Sequence, residues 1–181
     1  MTKIPVVLDD LLRPGLDVVF CGTAPGRLSA ERRAYYAHPQ NKFWRILHEA
    51  GLTPRRLRPD EYHELLTYDI GLTDIAKHTF GMDSQLPSGS LGRAAAEALR
   101  DRIGASAPRI LAFTSLKGGS SFLRRVVRPG VQDETIGPTR VWVLPSPSPA
   151  ANWTWSAQPW FELAAAARGH GNSQCAKAGE R

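Results

Sequence analysis

The apolar residues of this chain fall into short blocks, each too brief for a helix and each ending on turn-forming residues. Val18-Val19-Phe20-Cys21 stops at Gly22. Ile70-Gly71-Leu72 lies within residues 69–75, Ile110-Leu111-Ala112-Phe113 within 109–114, and Val141-Trp142-Val143-Leu144 follows Arg140. Blocks of this length, rich in β-branched and aromatic residues, predict buried strands. Helical spacing occupies the intervals. Phe43, Ile46, Leu47 and Ala50 share one face of a helix over 43–50, with Gly51 placed to end it. Pro59-Asp60 opens another through Leu65-Leu66, and 91–103, 121–127 and 159–168 complete the set. The amphipathic piece Leu8-Asp9-Asp10-Leu11-Leu12, closed by Pro14-Gly15, is expected to pack beneath the sheet. Strands that alternate with helices predict an α/β fold, a three-layer α/β/α sandwich around a mostly parallel four-stranded sheet. Open sheets of this kind place their sites outside the carboxyl ends of the strands. The loops after Gly22, at Asp74 and at Pro145 should therefore share one rim.

Composition narrows the class. The chain has 181 residues, of which 42% are hydrophobic, enough for a single core; residues 1–168 read as one domain and 169–181 as a polar, flexible tail. Cys21 lies in a buried strand and Cys175 in the tail, so neither a disulfide framework nor a metal site is expected, and a reducing cytoplasm fits best. No leader or membrane-spanning run is expected from the pattern. The formal net charge of +6 is distributed through the domain rather than confined to its tail, which favours a polyanionic partner. Arg55, Arg56 and Arg58 crowd one loop, where phosphate contact and simple solvation both remain open.

The candidate chemistry gathers at the strand ends. Gly22-Thr23-Ala24-Pro25-Gly26 is a turn whose glycines permit close backbone approach and whose amides point beyond the first strand. Ten residues later come Tyr35-Tyr36 and then Ala37-His38-Pro39-Gln40-Asn41-Lys42-Phe43-Trp44, so a flat ligand can be gripped between amides and a ring. Asp74 is the first carboxylate after its apolar block, and its role as a helix cap or surface group competes with one in the cleft. Lys117-Gly118-Gly119-Ser120 forms a small-residue loop, and Pro145-Ser146-Pro147-Ser148-Pro149 a rigid polar one. Neither a phosphate loop of G-x-x-x-x-G-K-[ST] form nor a G-x-S-x-G elbow is present, which leaves nucleotide-binding and α/β-hydrolase readings with little support.

Taken in order, GTAPG, YYAHPQNKFW, GLTDIA and WVLPSPSP resemble the uracil-DNA glycosylase superfamily over residues 5–168, closest to its mismatch-specific uracil/thymine and hypoxanthine branches. The resemblance implies an α/β sandwich that flips a damaged base from DNA and hydrolyses its N-glycosidic bond with no metal or cofactor, as a monomer whose partners are uracil-containing DNA and its abasic product. It implies that Tyr36 stacks on the base and that Thr23 and Ala24 contact it through backbone amides. Ser29 falls at a polar pocket position and Ser146 at a base-binding one. Gly26, Lys117 and Ser148 are expected to meet the DNA, with Pro149-Ala150 as wedge. Three departures stand out: Ala24 replaces a water-orienting Asn, Ser146 is a short group where Asn or His is usual, and Pro149-Ala150 is a small wedge. Asp74, then Asn41, then His38 are the candidates to position water instead, although Asn41 and His38 serve equally well as turn-bracing groups. Excision of uracil is the leading expectation; excision of hypoxanthine, or binding of uracil or abasic DNA without turnover, are the alternatives.

Overall fold

The computed structural model describes residues 5–169, so the expected tail beyond them lies outside the described residues. Five strands form one sheet in the order β2-β1-β3-β5-β4: β1 (Val18–Gly22), β2 (Ile70–Asp74), β3 (Ile110–Phe113), β4 (Gly130–Ile136) and β5 (Thr139–Val143). All neighbours are parallel except β4, which pairs antiparallel with β5. The four apolar blocks are the parallel strands, buried on both faces and therefore continuously hydrophobic. The fifth strand corrects the expected four. Its sequence, GVQDETI, is half exposed along its length, so an edge position leaves it polar enough to escape a reading based on apolar runs. A tight turn through Gly137, at φ +55°, joins it to β5.

Successive strand residues point to opposite layers. Phe20, Leu72, Ala112 and Trp142 meet α2 (Phe43–Glu49) and α5 (Gln158–Arg168); Val19, Cys21, Leu111, Phe113 and Val143 meet α3 (Arg93–Ser106) and α4 (Leu116–Leu123). A short helix, α1 (Arg27–Arg32), follows the first turn, and 3-10 helices occupy Pro59–Tyr68, Asp83–Gln85 and Pro149–Thr154.

Two local expectations change. The N-terminal piece does send Leu8 and Leu11 into the core, yet its backbone runs along the edge of β2: Leu11 and Leu72 exchange N–H···O bonds of 2.9 and 3.0 Å. It thereby covers an edge that would otherwise stay unpaired. The fourth helix begins at Leu116, five residues earlier than its apolar pattern suggests. Ser115 caps it by accepting from Gly118 N at 2.9 Å, and Gly119 lets it lie against β5, since a Cβ there would sit 2.5 Å from Val143 Cγ2. The small-residue segment from Lys117 to Ser120 is thus helix.

Candidate active site

The carboxyl ends of β2, β1, β3 and β5 bring Asp74, Gly22, Thr114 and the Pro145–Ser148 loop to one rim. The chain leaves β1 for β2 on one side and returns past it to β3 on the other, so the crevice opens at the switch in strand order.

Asp74 pairs in register with Gly22. Its carboxyl occupies the space a side chain at 22 would need, because a Cβ on Gly22 would stand 2.5 Å from Asp74 Oδ1 and 3.7 Å from Tyr36 Oη. Asp74 is 3% exposed and its Oδ2 has no hydrogen-bond partner among the described residues. Burial raises its pKa from 3.8 to about 7; Lys77 and Arg102 oppose that shift, and Asp10 adds to it. These three charges form a network behind the rim. Asp10 Oδ1 accepts from Thr73 Oγ1 and Lys77 Nζ, each at 2.6 Å, Arg102 Nε lies 3.1 Å from Asp10 Oδ2, and Arg102 Nη2 donates to the Asp74 carbonyl at 2.8 Å.

Tyr36 sits opposite. Its φ of +51° lies in the left-handed region that a bulky residue seldom adopts, and strain of this kind persists only where surrounding contacts impose it. Here the buried Ser29 Oγ accepts from Ala37 N at 3.1 Å, Tyr36 Oη bonds Thr114 Oγ1 at 3.1 Å, and one ring face stacks on Phe43 at 3.8 Å. Burial, then the Asp74 carboxylate, hold the phenol protonated well above its ordinary range.

The first turn completes the crevice. Gly22 O and Thr23 O accept from Ile75 and Ala76, whereas the N–H groups of Thr23 and Ala24 donate no hydrogen bond among the described residues. The loop after β2 folds over this turn, with Thr23 Oγ1 donating to Asp83 Oδ1 and Gly81 N to Pro25 O. Gly26 is the exposed residue preceding α1, and Lys117 is exposed on the first turn of α4.

On the far side of the rim, Ser146 Oγ accepts from Ser148 N and Ser148 Oγ from Ala150 N, so both serines shape their own turn. Pro149 and Ala150 begin the 3-10 helix that carries Trp153, a residue 87% exposed. Trp155 on the same segment is held back against Trp160 and under Lys42, whose Nζ also binds Asn152. Trp153 was not legible as a surface group, since a Trp-x-Trp pair beside an amphipathic helix reads as core. Asn41 and His38 lie apart from this crevice. Asn41 Oδ1 accepts from Phe43 N at 2.9 Å and His38 Nδ1 from Gln40 N at 3.1 Å, and both line a separate cavity of about 360 Å³ with Trp44 and Arg56.

Residues 10–168 match the family model of the Uracil DNA glycosylase superfamily. The chain belongs to that superfamily. Its fold is also similar to the solution NMR structure of a candidate uracil DNA glycosylase from Methanosarcina acetivorans, at 22% identity, over 90% of this chain and 95% of that one, with a TM-score of 0.60. At that identity the likeness speaks to the fold, which positions the strand-end crevice just described. Superfamily membership supports DNA-glycosylase chemistry on a DNA substrate.

Proposed function

We propose that this superfamily member excises uracil from DNA, adding water across the N-glycosidic bond to leave an abasic sugar and the free base. One observation carries the reading: at the strand ends the buried carboxyl of Asp74, with an oxygen unpartnered among the described residues, stands beside Gly22 and near Tyr36 Oη, next to a turn whose Thr23 and Ala24 N–H groups donate no hydrogen bond among those residues. As the bond breaks, positive charge grows on the sugar and negative charge on the base. Fixed N–H donors at Thr23 and Ala24 stabilise the departing base oxygen, and an ionised Asp74 holds the attacking water or faces the sugar cation. The Tyr36 ring, on the face turned away from Phe43, takes the extruded pyrimidine, with Ser146 at the pocket edge. Gly26, Lys117, Ser148 and the turn at Pro149-Ala150 meet the strand. Asn41 and His38 support the reaction by fixing the Tyr36 loop. Ala24 cannot orient water, and Asp74 supplies the polar group it lacks.

The test is incubation with end-labelled DNA carrying one uracil, single-stranded or opposite guanine, beside a matched hypoxanthine strand, followed by alkali. Protein-dependent scission at uracil is expected. Scission only at hypoxanthine reassigns the base, and retention of the DNA without scission makes the protein a binder. Because the mechanism uses ionised Asp74, the single-turnover rate should rise with pH through about 7 and level above it. A flat profile between pH 5 and 9 removes the carboxylate from the chemistry.

Base extrusion costs a few kcal/mol, which a rigid aromatic entering the stack can offset. Trp153 stands on the rim beside the small Pro149-Ala150 turn and is available for that contact. Trp153→Ala should weaken duplex binding by roughly 5- to 150-fold, the range of one lost base–aromatic stack, with no change in Tm. Fluorescence anisotropy and a thermal melt check both halves.

A further inference from the structure

The three arginines that follow α2 are not equivalent. Arg55 is held by Glu61 and Glu64, and Arg58 by Asp60 and Glu61. Arg56 has no acidic partner among the described residues, and neither does Arg32 at the end of α1. Both line the cavity of about 360 Å³ that lies behind the Tyr36 loop, together with His38, Asn41 and Trp44.

The remaining polar groups of this cavity share one character. His38 Nδ1 accepts from Gln40 N, which places the neutral ring's proton on Nε2 as a donor. Asn41 Oδ1 is committed to Phe43 N, which leaves its NH₂ group. Trp44 Nε1 is already spent on the Tyr35 carbonyl at 3.2 Å, so the indole contributes only an apolar wall. Among the described residues no carboxylate lines the cavity. Arg58 also lines the cavity but is spent on Asp60 and Glu61, so two unpaired guanidinium forks, an imidazole N–H and a carboxamide surround it with donors, and guanidinium forks match phosphate oxygens in charge and spacing.

We propose that this cavity is a phosphate-binding site and that its occupant is a backbone phosphate of bound DNA. The choice of DNA rests on the function proposed above; the anion chemistry does not. Ala37 and His38 line the cavity and directly follow Tyr36 in sequence, so the cavity is built on the same strained loop that carries Tyr36. A phosphate seated there clamps the loop that carries Tyr36.

The test uses an undamaged, fluorescently labelled duplex, with anisotropy titrations across a range of NaCl concentrations. Four proteins are compared: the native chain, Arg32→Ala/Arg56→Ala, Arg56→Lys, and Arg140→Ala, which removes an exposed charge from the amino end of β5, away from the rim. The double variant should bind roughly ten-fold more weakly at physiological salt and lower the slope of log K against log salt by about 1, the signature of one lost phosphate contact. Arg56→Lys should keep the slope yet lose affinity, because lysine retains the charge without the fork. Equal behaviour of the double variant and Arg140→Ala overturns the proposal. So does a double variant that loses thermal stabilisation by inorganic phosphate while binding DNA normally, since the cavity then serves a free anion. The duplex contains no damaged base, so a protein that binds it through this cavity but excises nothing refutes the excision reading alone.

Discussion

Replacing Asp74 by Asn is expected to make the protein more stable and nearly inactive. The carboxyl is buried with one oxygen unpartnered among the described residues, and burial carries its pKa to about 7. The unfolded chain ionises this group near 3.8, so between about pH 4 and pH 7 unfolding releases a proton that the folded protein keeps. Stability is therefore lost as pH rises through that window and stays at its lower level above it. At about 1.4 kcal/mol per pH unit, the ionised carboxylate costs the fold on the order of 4 kcal/mol at pH 8. Asparagine removes the titration but leaves an amide with an unsatisfied donor, which takes back about 1–3 kcal/mol. The net gain should raise Tm by roughly 5 °C at pH 8 and by much less at pH 5. Excision should fall about 100-fold or more, as for a lost general base, with DNA affinity near normal. Asp74→Ala should lose activity in the same way. A variant that is stabilised yet excises uracil at the native rate would show that the carboxyl is tolerated in the core for some reason other than catalysis.

Gly22→Ala should injure the same chemistry from the other side. The added methyl would stand 2.5 Å from Asp74 Oδ1, and the strand pairing that fixes both residues leaves the backbone little room to yield. The carboxyl must rotate away, toward Tyr36 Oη or deeper into the core. Overpacking of this kind costs about 1–3 kcal/mol, so Tm should drop by several degrees while the protein still folds. The rate at saturating enzyme should fall about ten-fold or more, and the inflection near pH 7 should move, because the displaced carboxyl meets new surroundings. Pairing Gly22→Ala with Asp74→Ala separates steric from chemical loss. If Asp74 is the group displaced, the double variant is no slower than Asp74→Ala alone; additive losses would assign Gly22 an independent role.

Burial decides which hydrophobic signals show along the linear chain. The four parallel strands are covered on both faces, so each is an unbroken apolar block and was readable without a partner in view. The edge strand Gly130–Ile136 was not, since half of each residue pair faces solvent and its Gln, Asp and Glu look like loop. The glycines at 118 and 119 suggested a turn because, in a linear reading, small residues mark breaks; in the fold they are where a helix meets β5 closely. The turn at Gly22 and the aromatic pair at Tyr35-Tyr36 were visible as candidates by type and spacing. That Tyr35 is a core residue bonded to the Asp9 carbonyl, while Tyr36 alone turns to the crevice, depends on a left-handed backbone no local pattern announces.

By itself the sequence determined the alternating α/β architecture, the strand ends that form the rim and the superfamily resemblance, because periodicity and motif order are properties of the chain. Tertiary structure decided which polar groups are spent and which are left over. Asn41, His38, Ser146 and Ser148 accept backbone N–H groups in their own turns, Arg55 and Arg58 are paired with acids, and among the described residues Asp74 and Arg56 are left without such partners. Hydrogen-bond partners and burial are set by residues distant in sequence, such as Gly22 against Asp74 and Thr114 against Tyr36. The reactivity of a side chain follows from those neighbours, and they exist only once the chain has folded.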